Sequence, residues 1–197
     1  MSELVLATGN QHKVEEIKVL LGDAVIVRSL ADFPGAPPVI EDGVTYRENA
    51  LKKARSAAAF TGLTALADDT GLEVDALGGR PGLYAARFAG EGCSFQDNIR
   101  KLLRLLEGIP REQRSGRFIC VLALVIPGGR EEVVEGVLNG FITETQAGVG
   151  GFGYDPVFYG TEVGKTLAEL TTEEKNRISH RGRAVRGLKE LLMNVGA

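Results

Sequence analysis

Residues 117–143 read RFICVLALVIPGGREEVVEGVLNGFIT. From Phe118 to Ile126 the run is continuously apolar, the pattern of a strand covered on both faces. Gly128-Gly129 can reverse the chain, so residues 131–143 are expected to return as the second arm of an antiparallel hairpin. Outside this segment, strand and helix patterns alternate, the order that builds α/β proteins. A hairpin within such an alternation makes the sheet mixed. The expected class is α/β.

Upstream, Leu4 to Ala7 has the look of a short buried strand, and Val14, Ile17, Leu20 and Leu21 recur at helical spacing before a stop at Gly22. Ala24 to Val27 can form a second strand. Residues 33–43 contain three of the seven prolines and read as a loop. Thr45-Tyr46-Arg47-Glu48 is a capping-box pattern, followed by the apolar stripe Ala50, Leu51, Ala54, Ala57 and Ala58, with Lys52, Lys53 and Arg55 off it or at its border. Thr64 to Ala67 and Leu72 to Leu77 read as brief strands on either side of Asp68-Asp69-Thr70-Gly71, and residues 78–82 (GGRPG) as an irregular turn. Ser94 with Asp97 opens a helix carrying Ile99, Leu102, Leu103 and Leu106. Residues 148–160 (GVGGFGYDPVFYG) are too glycine-rich for regular structure. Thr171 with Glu174 caps a short helix, and Ser179 a last one with Val185, Leu188, Leu191 and Leu192. No repeat or interdomain linker interrupts the 197 residues, so one domain is expected over 1–197.

The balance of 44 % hydrophobic and 25 % charged residues is that of a soluble globular protein. A net charge of −3 gives no global basic field, so no nucleic-acid partner is expected and an anionic ligand must be met by local cations. Cys93 and Cys120, the only cysteines, are too few for a disulfide framework or a cysteine zinc site. No apolar run approaches ~18 residues and no leader pattern opens the sequence, so a cytoplasmic protein with no membrane partner is expected.

Four places depart from packing logic. The opening turn LATGNQHK (6–13) sets Thr8, Gly9, Asn10 and Lys13 between a strand and a helix start, where backbone amides and a cation suit a phosphate; a plain strand-to-helix turn reads the same way. Asp68-Asp69 are adjacent carboxylates at the end of a short strand, persisting best beside a cation or a proton-transfer task, or serving simply to cap a turn. In GGFGYDP (150–156), glycines admit a ligand, Phe152 and Tyr154 offer flat faces and Asp155 an acceptor; alternatively the aromatics plug the core. Lys175 to Arg181 packs three cations and His180 into seven residues, a solvated helix face unless the donors at the last helix start face a ligand.

GxxxxGK[ST], a strand–GxGxxG–helix unit, GxSxG and HExxH are all absent. With only His12 and His180, a histidine-rich metal site is excluded. Oxygen ligands and cations remain, the combination that holds magnesium and phosphates.

TGNxxK, ADDTGLEVDALGGRPG, GGFGYDPVF and SHRGRA, in this order from about residue 4 to 193, resemble the inosine/xanthosine triphosphate pyrophosphatases. The resemblance implies an elongated mixed β-sheet flanked by helices, two lobes with a central active-site cleft, Mg²⁺ as cofactor and a homodimer. It implies hydrolysis of deaminated purine nucleoside triphosphates (ITP, dITP, XTP) between the α- and β-phosphates. By the same resemblance Thr8, Gly9, Asn10, Gln11, His12, Lys13 and Lys53 form the phosphate grip. Asp69 is general base and metal ligand, Glu41 a second metal carboxylate, Asp68 a support, and Thr70 a substrate contact. Phe152, Gly153, Tyr154, Asp155, Lys175, His180 and Arg181 contact nucleoside and phosphate, with His180 and Arg181 supplying donors to a 6-oxo group. A pyrophosphatase for modified pyrimidine nucleotides and a nucleotide sensor without turnover are the competing readings; Asp69 discriminates against the sensor, which needs no base.

Overall fold

A computed structural model describes residues 2–23 and 25–195. In chain order the elements are β1 (Ser2–Leu6), α1 (Gln11–Leu21), β2 (Val25–Ser29), α2 (Tyr46–Thr61), β3 (Thr64–Val74), β4 (Pro81–Gly82), α3 (Phe95–Leu105), β5 (Ser115–Ile126), β6 (Arg130–Ile142), β7 (Phe158–Gly160), β8 (Lys165–Thr166), α4 (Thr172–Ile178) and α5 (His180–Val195). Helices and a mixed sheet make the class α/β, as expected. No helix among the described residues is long and apolar enough to cross a membrane.

The chain divides into two compact units, residues 1–69, 120–136 and 181–197 in one, and 70–119 and 137–180 in the other. Each is assembled from separated stretches, and β3, β5 and β6 contribute to both, which is why no linker is visible in the sequence. In the first unit β1 pairs in parallel with β2 (Leu4 opposite Val27) and with β3 (Leu4 opposite Thr64). Its core joins Leu4 and Leu6 of β1, Val14, Ile17 and Leu21 of α1, Leu66 of β3, Leu122 and Leu124 of β5, and Val185 and Leu188 of α5. In the second, β6 pairs antiparallel with β7 and β7 with β8, while β4 pairs antiparallel with β3. That core gathers Leu72 and Val74, Ile99 and Leu102 of α3, Phe118, Leu138 and Ile142, and Tyr154, Phe158 and Leu167.

The 117–143 reading holds. β5 and β6 are hydrogen-bonded neighbours joined only through Pro127–Gly129, a connection that permits only an antiparallel pair. Phe118 to Val125 are buried without alternation, as a strand covered on both faces requires. Helix ends also follow the sequence. Asn10 caps α1 and Gly22 ends it; the Ser94–Asp97 and Thr171–Glu174 capping boxes are both closed. At α2, Thr45 accepts from Glu48 N–H, but the Glu48 carboxylate reaches Val44 N–H instead of completing the box on Thr45.

Three expectations are corrected. Asp68 to Gly71 is no turn: β3 runs unbroken from Thr64 to Val74, and only Asp75–Leu77 leave it, as a 3-10 turn. Aspartate disfavours strands, but the cations facing both carboxylates override that preference. The glycine-rich segment 148–160 ends in β7, whose Phe141–Tyr159 pairing with β6 the glycine count obscured. β2 extends to Ser29 beyond the expected Val27, and Ala24 lies outside the described residues.

Candidate active site

After β1, the Ala7 N–H donates to Leu66 O at 2.8 Å, holding the opening turn against β3. Thr8 Oγ1 accepts from Asn10 N–H at 3.2 Å, and Asn10 Oδ1 accepts from the amides of His12 (3.1 Å) and Lys13 (3.4 Å), an N-cap that starts α1. Gly9, Gln11 and His12 are exposed. A side chain at Gly9 would meet open space, so nothing in the chain itself requires glycine there, whereas a close-approaching ligand would. Lys13 is turned inward, its Nζ 2.9 Å from Asp68 Oδ1.

Because successive strand residues point to opposite faces, the two aspartates of β3 meet different partners. Asp68 is 1 % exposed; its Oδ2 accepts from Arg181 Nη2 at 3.0 Å and Nε at 3.3 Å. Burial works against its charge, yet Lys13, Arg181 and Lys53 outweigh that and hold its carboxyl well below the usual aspartate range. Asp69 is 7 % exposed, with Oδ1 2.9 Å from Lys53 Nζ and Oδ2 3.5 Å from Asn49 Nδ2. Here burial dominates, and with Glu41 nearby it raises the carboxyl above the usual value against the pull of Lys53. A raised carboxylate is the better proton acceptor. Lys53 also donates to Asp68 O at 2.7 Å and lies 3.4 Å from Glu41 Oε1. Burial opposes its charge too, but Asp69, Asp68 and Glu41 keep the ammonium proton bound more tightly than in water.

Glu41 and Asp69 therefore converge on one positive charge. Both are hard oxygen donors, the kind Mg²⁺ takes in ones or twos, completing its shell with water and substrate phosphates. Among the described residues no group of three or more His, Cys, Asp or Glu is placed to hold a metal alone. Thr70, next along β3, is half-buried in the second unit.

In the second unit one oxygen organises the glycine loop. Asp155 Oδ2 accepts from Phe152 N–H at 2.8 Å and from Lys175 Nζ at 2.6 Å. Asp155 and Lys175 are both buried. Gly151 has φ +69°, and a Cβ there would overlap Asp155 Oδ2, so the tight loop and the carboxylate require each other. The Lys175 ammonium sits 4.7 Å from the centroid of the half-buried Phe152 ring, and Phe95 stands 6.1 Å away, tilted. Gly153 is half-buried at φ +64°. The buried His180 ring stacks on Phe118 with centroids 4.6 Å apart.

Two of the expected base contacts, Tyr154 and Arg181, are buried. Tyr154 is a core residue, buried in the second unit with its hydroxyl donating to Ala85 O at 2.8 Å. Desolvation raises its phenol, as for a ring closed off from water. Arg181 is 1 % exposed, and its guanidinium is engaged by Asp68 on one edge and Glu16 on the other. Here it is a buried counter-charge, and the donors beside the Phe152 ring come from Lys175.

In this two-unit α/β chain the acidic pair of β3 thus meets lysines of α1 and α2. The model of the Ham1 family matches residues 4–191. The chain belongs to the Ham1 family. It is 54 % identical over 191 residues to the dITP/XTP pyrophosphatase of Geobacillus kaustophilus, covering 96 % of this chain and 94 % of that one. It is 52 % identical to the Geobacter sulfurreducens dITP/XTP pyrophosphatase over 193 residues, 98 % of this chain and 97 % of that one. Among solved structures, the HAM1 protein of Coxiella burnetii superposes with a TM-score of 0.89 at 41 % identity, covering 98 % of this chain and all (100 %) of the other.

Within this Ham1 chain, sequence reasoning missed Asn49 and Glu16. Asn49 bridges loop and acid, accepting from Gly43 N–H at 2.8 Å while its amide faces Asp69. The available signal was position: Asn49 directly precedes Ala50 of the apolar stripe, and Glu16 lies between the buried Val14 and Ile17.

Proposed function

We propose that this Ham1 chain hydrolyses the deaminated purine nucleoside triphosphates ITP, dITP and XTP to the monophosphate and pyrophosphate. The observation that carries the reading is Asp69, a carboxylate lifted by burial and held 2.9 Å from Lys53 with Glu41 beside the same ammonium. A binding module needs the cations but not a proton acceptor. Relatives about half identical to the chain carry the name dITP/XTP pyrophosphatase, which supports the same activity.

Glu41 and Asp69 would hold Mg²⁺, which when bound withdraws charge from the phosphates. Lys53, Lys13 and the amides of the Thr8–Lys13 turn receive the remaining phosphate charge. Asp69 takes the proton of the attacking water, a role that its raised proton affinity favours. Phe152 stacks on the base, and Lys175 and His180 supply donors toward a 6-oxo oxygen. Adenine presents an amino group to the same donors, which then lose their partner at ~1–3 kcal/mol each. Two such losses, ~2–6 kcal/mol together, give a preference between ~30-fold and ~10⁴-fold, of order 10² or more for all but the weakest pair. Arg181 supports the phosphate cluster from within through Asp68 and Glu16. Thr70 and Gly153 stay with this reading as backbone or hydroxyl contacts, and Gln11 and His12 as exposed residues at the anion-binding turn. The protein acts as a cytoplasmic homodimer in this reading.

The test is pyrophosphate release from ITP, dITP, XTP and ATP side by side with Mg²⁺. Isotopically labelled water should place its oxygen in the monophosphate for attack at the α-phosphorus. Orthophosphate as first product, or equal use of ATP, would overturn the reading.

A further inference from the structure

Glu16 is the member of the buried charge cluster to which no motif points. It lies on α1 one turn beyond Lys13 and is only 9 % exposed, rare for a glutamate without a partner. Its Oε2 stands 2.5 Å from Arg181 Nη1. The opposite edge of Arg181 holds Asp68 Oδ2, and Asp68 Oδ1 holds Lys13 at 2.9 Å. The contacts therefore form a closed ring that leaves α1 at Lys13, crosses β3 and α5, and returns to α1 at Glu16. Two cations and two carboxylates cancel, and none can move without unbalancing the rest.

We propose that Glu16 is a positioning residue for the phosphate end of the substrate. Asp68 is aimed by the guanidinium fork, the fork is fixed at its other arm by Glu16, and Asp68 in turn aims the Lys13 ammonium. Glu16 also fastens the first turns of α1, and with them the Thr8–Lys13 turn, to α5. This rests on the reading above that these residues receive the triphosphate. With Glu16 neutral, Arg181 carries surplus charge and competes with Lys13 for Asp68, so the lysine loses its fixed direction. Base selection involves other residues and is untouched.

The experiment compares wild type, Glu16→Gln and Glu16→Asp as full-length chains with Mg²⁺. Glu16→Gln should raise KM for ITP and the inhibition constant of inorganic pyrophosphate together, by about tenfold as for removal of an orienting partner. The ITP-to-ATP preference should stay as in wild type, and Glu16→Asp, which keeps the charge, should recover part of the loss. A Glu16→Gln protein with a lower Tm but unchanged KM and unchanged pyrophosphate inhibition would overturn the proposal, marking Glu16 as merely structural. A loss confined to kcat would overturn it as well. Should wild type release no pyrophosphate from ITP, the functional reading falls instead. Calorimetric binding of pyrophosphate to wild type and Glu16→Asp then still decides whether Glu16 positions a phosphate site, and it also covers a Glu16→Gln chain that does not fold.

Discussion

Asp68 and Asp69 are neighbours on β3 whose carboxylates engage different cations, Asp68 with Lys13 and Arg181, Asp69 with Lys53. Strand geometry separates them by sending consecutive side chains to opposite faces. The adjacent charges that would repel in a turn are thereby given different environments with opposite effects on proton affinity. One is held as a charged anchor, while the other binds a proton more readily than an aspartate in water.

Asp69→Asn should leave the fold intact and abolish most turnover. Asparagine has the same shape and can still accept from Lys53, so thermal unfolding should move little. The lost general base is worth ~10²–10⁴-fold in kcat, with a metal ligand lost besides. Steady-state pyrophosphate release together with circular dichroism checks both halves, and near-normal turnover would remove Asp69 from the base role.

Asp68 should make the first unit acid-sensitive. Its folded carboxyl is held below the unfolded value of about 3.9 by Lys13, Arg181 and Lys53 against burial. The unfolded chain therefore takes up the proton first as pH falls. The contribution of Asp68 is complete above that unfolded value and fades as pH drops through it toward the folded one. Urea unfolding at pH 7 should show Asp68→Asn to be less stable than wild type by about 3–5 kcal/mol, since Lys13 and Arg181 keep their charges. Between about pH 5 and pH 2 the gap should narrow. A gap that stayed constant or widened would contradict the assignment.

Local signals in the sequence carried much of this structure. Caps at Ser94 and Thr171, the Gly22 stop and the 117–143 hairpin rest on short-range chemistry, which a sequence displays directly. What long-range charge decides was hidden. At Asp68–Gly71 a turn stayed open because aspartate and glycine favour turns, and the cations that meet the two carboxylates in β3, Lys13, Arg181 and Lys53, are remote in sequence. The Arg181–Glu16 contact was equally hidden, because no local rule pairs residues 165 positions apart. For Tyr154 the sequence left both roles open, and the ring packs in the second core.

Phe152 and Tyr154 should respond oppositely to mutation. Phe152 is half-buried beside Lys175, so Phe152→Ala should weaken ITP and ATP by similar factors, ~1–3 kcal/mol of lost stacking, with little change in Tm. Tyr154→Phe removes only the hydroxyl that donates to Ala85 O, so it should cost ~0.5–1.5 kcal/mol of stability and leave KM unchanged. Unfolding curves paired with KM for both substrates separate the two. A Tyr154→Phe variant of full stability and raised KM would return Tyr154 to the binding surface.

Gly151 and Gly153 offer a matched pair for testing the loop that carries Phe152. Both have positive φ, +69° and +64°, so alanine at either position bears a similar backbone strain of order 1 kcal/mol. They differ in what surrounds them. A Cβ at Gly153 meets nothing within 4 Å, whereas one at Gly151 overlaps the Asp155 carboxylate. Gly151→Ala must therefore push Asp155 off the Phe152 amide and off Lys175, displacing the aromatic face and the cation beside it together. Subtracting the Gly153→Ala effect removes the common strain. The remainder should appear as a raised KM for ITP and a smaller ITP-to-ATP preference if Lys175 is, as proposed, a donor toward the 6-oxo group. Equal effects of the two alanines on KM and on the preference would mean that the Asp155–Lys175 pair holds the loop but does not serve the base.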